Sequence, residues 1–170
     1  MTNNLPNVAA IKNQWLFSQV DVEFPTQESL QGRSLYQEAL VERSYRLLEA
    51  SEKALDESLL DDVYLVDFHR QTIWFAVLQA SLWANEEDKA NIIEFFTQII
   101  YAQPCELYLG FHQGEPVAAG LVTHSDDEIL VSDLVMLDKH AFGNSVNFAA
   151  LLLKKWSNDH ELSNNVYIEQ

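Results

Sequence analysis

Apolar residues recur along this chain with three different rhythms, and the changes between them mark its elements. The first 27 residues open on an apolar cluster, Trp15-Leu16-Phe17, and then alternate from Val20 to Phe24, where Pro25 stops the run. Alternation of that kind predicts a short strand. From 28 to 60 the rhythm is helical. Leu35, Tyr36, Ala39, Leu40, Leu47, Leu48, Ala54, Leu55 and Leu59 fall mostly at three- and four-residue steps, with charges between them. Thr26 is placed to cap this helix. Gly32 predicts a late start or a frayed first turn. Val63–Phe68 reads as a short strand or as the first turn of the next helix. Residues 70–84 are apolar on most sides and predict a buried helix. Asn85 followed by Glu86, Glu87 and Asp88 is a helix start, a cap with acids at the positive end of the dipole. That helix runs through Ile100 and ends before Pro104.

Beyond Pro104 the period becomes that of strands. Glu106–Phe111, Pro116–His124 and Glu128–Met136 are joined by two tight turns, His112–Glu115 and Ser125–Asp127. Short turns between strands predict an antiparallel meander. A loop with Gly143 and Asn144 follows, then a helix from about Ser145 to Asn158 and a last strand at Val166–Ile168. A strand, a helix and a strand joined over that length pair in parallel. The expectation is an α+β fold with a mixed sheet: a meander plus a β-loop-α-β unit over 61–170, preceded by a helical N-terminal extension over 1–60.

Charge narrows the partners. With 10 basic and 26 acidic side chains among 170 residues the net charge is −16. It is −4 over residues 1–60 and −12 over 61–170. Such a field repels nucleic acid and anionic membrane surfaces, and it attracts amines and basic proteins. One cysteine, Cys105, cannot form an internal disulfide, which suits a reducing compartment. The N-terminus has no basic-then-apolar leader pattern. The longest apolar stretch, Ile73–Ala84, is too short for a membrane span. A soluble, cytoplasmic protein is expected.

Candidate chemistry concentrates after the third meander strand. Residues 134–158 carry one acid, Asp138, and three bases, Lys139, Lys154 and Lys155. Backbone N–H groups at a helix start bind phosphate, and Gly143 would let backbone approach it closely. The five histidines show neither HExxH spacing nor i, i+4 pairing, so no metal site is expected. Cys105 has no local histidine, and there is no nucleophile elbow or Walker loop.

The order of elements resembles the GCN5-related N-acetyltransferase (GNAT) superfamily over about residues 61–170. Leu109–Gly120 reads like that family's second and third strands, and Asp133-Leu134-Val135-Met136 like the end of its fourth. The family's pyrophosphate loop, Gln/Arg-x-x-Gly-x-Gly/Ala, is matched in spacing by His140-x-x-Gly143-x-Ser145, with the glycine alone kept in type. The resemblance implies acyl-CoA-dependent acetyl transfer to an amine, with acetyl-CoA as cofactor. Val135 and Met136 would hold the pantetheine, and His140, Gly143, Asn144 and Ser145 the pyrophosphate. A carboxylate on the third meander strand, Asp133 or Glu128, would be the base; with Leu134 in the core, alternation turns Asp133 to the other face, where burial would raise its pKa. The chain stops where the family continues with a helix and two strands. Either the chain is a trimmed domain, or the first 60 residues, with Val20–Phe24 the nearest strand, or a second subunit fill that space, and an open edge there predicts a homodimer. The alternative expectation is a non-catalytic GNAT-like module acting in dimerisation or protein–protein interaction.

Overall fold

The turn between the first two meander strands shows how closely this chain follows local chemistry. Gln113 and Gly114 both have positive φ, 52° and 81°, as a two-residue hairpin of right-handed twist demands. A computed structural model of the chain describes residues 5–49, 52, 56–100, 103–138, 140–163 and 165–170. The order of elements is α1 (Asn7–Ser18), α2 (Gln27–Leu40), β1 (Tyr45–Leu47), a 3-10 helix (Glu57–Asp62), β2 (Val63–Leu65), α3 (His69–Ala80), α4 (Glu86–Phe96), β3 (Cys105–His112), β4 (Glu115–His124), β5 (Glu128–Met136), α5 (Ser145–Trp156) and β6 (Asn165–Glu169).

These elements make an α+β fold around one mixed sheet of six strands, in the order β1-β6-β5-β4-β3-β2. The meander β3-β4-β5 is antiparallel, and β5-α5-β6 closes a parallel pair from Glu128 opposite Asn165 to Val131 opposite Ile168. Strand alternation divides the core in two. Leu107, Leu109, Ala119 and Leu121 face α1–α4, packed with Leu16, Tyr36, Phe75, Phe95 and Phe96. Tyr108, Ala118, Val122, Ile129 and Val131 face α5, packed with Phe148, Leu151, Leu152 and Trp156.

Two predicted caps are made. Thr26 Oγ1 accepts from Ser29 N–H at 3.1 Å, and Asn85 Oδ1 accepts from Asp88 N–H at 3.0 Å. Three other expectations are corrected. Val20–Phe24 is a bend, not a strand: Val20 is buried, while Val22 and Phe24 are exposed. The Arg33 guanidinium pins this segment through Phe17 O and Asp21. The helix read over 28–60 ends at Leu40, and Tyr45–Leu47 is strand β1. The seven-residue step from Leu40 to Leu47 imitates two helical turns. Residues 50–51 and 53–55 of that predicted helix lie outside the described residues. Gly32 does not fray its helix. It sits inside α2 where a Cβ would lie 2.0 Å from Asn91 O on α4, so the glycine lets two helix backbones touch.

The first 60 residues therefore supply sheet as well as helix. β1 runs antiparallel beside β6, with Tyr45 opposite Glu169, and Ser44 and Gln170 exchange both backbone hydrogen bonds at 2.8 Å. Among the described residues no helix is long and apolar enough to cross a membrane.

Candidate functional site

Strand β5 carries a bulge at Asp133, and the site is built around it. Ser132 pairs with Leu121 and Val135 with Ala119, so Gly120 faces two residues, Asp133 and Leu134. Asp133 adopts φ 55°, a conformation non-glycine residues seldom take. Leu134 turns toward α5 and packs near Gly120. Asp133 turns to the opposite face, as alternation from Leu134 predicts. That face is covered by α1 and α2, so Asp133 is buried rather than solvated.

The bulge also marks where β5 and β6 separate, because their pairing stops at Val131 and Ile168. Side chains take over the backbone groups left there. Asp133 N–H donates to Glu169 Oε1 at 3.1 Å, and Gln79 Nε2 donates to Asp133 O at 2.6 Å. The Asp133 carboxylate is saturated. Oδ1 accepts from Tyr36 Oη and from Arg43, both at 2.7 Å. Oδ2 accepts from Ser132 Oγ at 2.7 Å and lies 3.3 Å from Lys12 Nζ. Glu169 is held by the same two cations, Arg43 at 2.7 Å and Lys12 at 3.3 Å, and by Tyr45 Oη at 2.9 Å. Two cations thus face two carboxylates, with two phenols between them.

This environment overturns the expected pKa of Asp133. Burial pushes the carboxyl up, but Lys12 and Arg43 beside it outweigh burial and hold it well below the usual carboxylate range. Lys12 moves in the complementary direction. Burial disfavours its charge, yet Asp133 and Glu169 hold its pKa above the ordinary lysine value. A carboxylate so stabilised and so fully bonded is a poor proton acceptor near neutral pH.

Glu128 lies five residues earlier on β5, roughly 15 Å away along the strand. Its Oε1 accepts from Val8 N–H at 3.1 Å, so it anchors the positive end of α1. The two candidate bases are therefore not brought together. Val135 is buried on β5 opposite Ala119, and Met136 is half-buried opposite Ala118.

The loop after β5 forms a second feature. Phe142 anchors it, buried against Gly110 and 5.1 Å from the Phe148 ring. Gly143 has φ 76°, and Asn144 Oδ1 caps α5 by accepting from Asn147 N–H at 2.9 Å. Ser145 is the first residue of α5. His140 and Gly143, with Phe142, Asn147, Leu59 and Asp56, line a groove of about 610 Å³. Asp56 puts a carboxylate on this groove, and Lys155 Nζ donates to Leu60 O at 3.1 Å. Lys139 lies outside the described residues.

Cys105 is buried, its Sγ 3.2 Å from Thr123 Oγ1, and burial pushes its thiol up to about 12. His112 is exposed, whereas His124 is half-buried and packs on Trp156. Among the described residues no three His, Cys, Asp or Glu side chains are grouped to hold a metal ion.

Lys12, Tyr36, Arg43, Tyr45, Gln79 and Glu169 escape a reading of the sequence. One signal pointed to Lys12. Val8, Ala9 and Leu16 share one buried helical face of α1, and a lysine sits in its middle. No local pattern pairs it with carboxylates more than 100 residues away.

No protein-family model matches the chain, and no curated protein is significantly similar to it. Among solved structures it is similar to a functionally unknown conserved protein from Staphylococcus epidermidis, at 12% identity and a TM-score of 0.49. That superposition covers 80% of this chain and 55% of the other, so the chain spans about half the length of that relative.

Proposed function

We propose that the chain is a non-catalytic GNAT-like module that acts by binding another protein. The observation that carries this reading is the state of Asp133. The carboxylate on the meander strand that would serve as base has both oxygens occupied by Lys12, Tyr36, Arg43 and Ser132. It is buried under α1, and its proton affinity is lowered. Glu128 is engaged in anchoring α1. The edge beside β6, on which a homodimer was expected, is occupied by β1. The single, buried Cys105 suits the cytoplasm as the setting. A transfer assay tests the reading: acetyl-CoA, a panel of polyamines and basic peptides, and a thiol reagent to follow released coenzyme A. We expect no release above the uncatalysed rate. Sustained release, proportional to protein, overturns the reading.

A second reading keeps acetyl-CoA as a ligand. It is favoured by the left-handed Gly143 and by the groove at the start of α5. His140, Gly143, Asn144 and Ser145 would meet the pyrophosphate, and the backbone at Val135 and Met136 the pantetheine. In the N-acetyltransferase form of this reading the base would have to be a group other than Asp133 in its buried state. Calorimetry with acetyl-CoA decides it. Saturable micromolar binding that Gly143→Trp abolishes supports a cofactor site; no binding by folded protein removes it.

A further inference from the structure

Strand β2 ends the sheet, and among the described residues nothing pairs with its outer side. It pairs with β3 in the register Tyr64 opposite Leu109, and Val66 N–H donates to Leu107 O at 2.8 Å. Alternation in an antiparallel ladder then turns the backbone groups of Tyr64 inward to β3 and those of Leu65 outward. Val63 N–H is used by Leu60 O, which leaves Leu65 N–H with the carbonyls of Val63 and Leu65 as the open edge.

Side chains around this edge are apolar and exposed. Tyr64 and Leu65 are 50% and 40% exposed, and Phe68 is 66% exposed. The Tyr64 ring meets Phe111 edge-on at 5.3 Å, and Phe111 meets Trp74 on α3 at 5.9 Å. Ile73 and Val77, one turn apart on α3, are also exposed. Exposed apolar side chains on both faces of an edge with open backbone groups are the arrangement that accepts an added strand.

Charge selects what that strand is. Asp61 and Asp62 precede β2 and Asp67 follows it, all exposed, and Arg70 is turned onto the Trp74 ring 5.2 Å away. A second copy pairing antiparallel about Tyr64 would set Asp61 against the partner's Asp67 at both ends, which repels. Lysine or arginine flanking an apolar segment would instead meet a carboxylate at each end. We infer that the β2 edge docks an extended segment of a basic partner protein, an apolar strand flanked by Lys or Arg, as a seventh strand of the sheet. This rests on the protein-binding reading above and gives it a surface.

The test uses two labelled peptides with the same alternating Val/Thr centre, one flanked by lysines and one by glutamates, titrated with the whole chain at low salt. We expect the lysine peptide to bind at least about ten-fold tighter. Asp61→Lys with Asp62→Lys narrows that preference. Leu65→Pro removes the outward N–H without touching the β3 ladder, and it weakens binding by about ten-fold or more while circular dichroism stays unchanged. Equal affinity for both peptides, or none for either, overturns the inference. Tight lysine-peptide binding that survives Leu65→Pro rejects this edge but leaves the protein-binding reading standing. Coenzyme A release in the transfer assay rejects that reading instead. A concentration-dependent dimer that Leu65→Pro dissolves makes a second copy the occupant and also overturns the inference.

Discussion

The phenol of Tyr36 donates a hydrogen bond to Asp133 Oδ1 at 2.7 Å, joining α2 to the bulge of β5 across 97 residues. Arg43, seven residues after Tyr36, reaches the same oxygen and the same phenol. Its guanidinium also lies 4.9 Å from the Tyr36 ring centroid. Removing one member of this set leaves the others buried and unmatched. Tyr36→Phe deletes the bond to Asp133 and the two that Lys12 and Arg43 donate to the phenol, and is expected to cost at least about 1.5–3 kcal/mol. Asp133→Asn leaves two buried cations facing one carboxylate and is expected to cost about 3–5 kcal/mol. Urea denaturation of the two variants gives this order. Equal and small losses would mean that the cluster is hydrated and weak.

The lowered pKa of Asp133 fixes the sign of an acid transition. In the unfolded chain an aspartate titrates near 4. In the folded chain its value lies lower, so this carboxylate contributes stability above about pH 4. That contribution is lost as pH falls from there through the folded value. Stability measured by urea at a series of acid pH values should fall more steeply in the wild type than in Asp133→Asn. On the alkaline side Lys12 acts in the opposite sense. Its stabilisation is complete below the ordinary lysine value and is lost as pH rises past its raised folded value.

Gly32 sets the distance between α2 and α4. A Cβ there would lie 2.0 Å from Asn91 O and 2.7 Å from Phe95 Cβ, and backbone cannot swing aside. Gly32→Ala gains helix propensity of about 1 kcal/mol but must push two helices apart. Overpacking costs about 1–3 kcal/mol or more, so a lowered thermal midpoint is expected. A raised midpoint would show that the two helices are free to move apart.

Cys105 reports opening of the sheet. Its thiol is buried and pushed up to about 12, so little thiolate exists at neutral pH in the folded chain. Reaction with a disulfide reagent should be slow and should accelerate with denaturant in step with unfolding. Fast labelling of native protein would place the sulfur in a mobile strand instead.

Sequence patterns served best where structure is made by neighbours. The cap at Thr26, the cap at Asn85 and the Gln113-Gly114 turn are local chemistry, and each is legible within four residues. The meander follows from alternation bounded by turns. What failed depends on distant partners. Val20–Phe24 alternates like a strand, yet among the described residues no strand pairs with it. Tyr45–Leu47 lies in a helical rhythm, yet β6 recruits it. Gly32 looks like a weak helix position until Asn91 arrives beside it. The loop over 140–145 was legible as a glycine-bearing helix start, and Asp133 was legible as a carboxylate facing away from Leu134. That this face is roofed by Lys12 and Arg43 was not, because a single lysine on an apolar helix face does not announce its counter-ions.

The Lys12–Glu169 contact spans 157 residues. During synthesis at roughly 5–20 residues per second, something like ten to thirty seconds separates the making of this ammonium from that of its carboxylate. Until the first of its two carboxylates, Asp133, has been made, Lys12 belongs in water, because an unmatched charge beneath a sheet is too costly. The seat of the first helix is therefore completed only by the second half of the chain, so burial of Lys12 is coupled to assembly of β5 and β6.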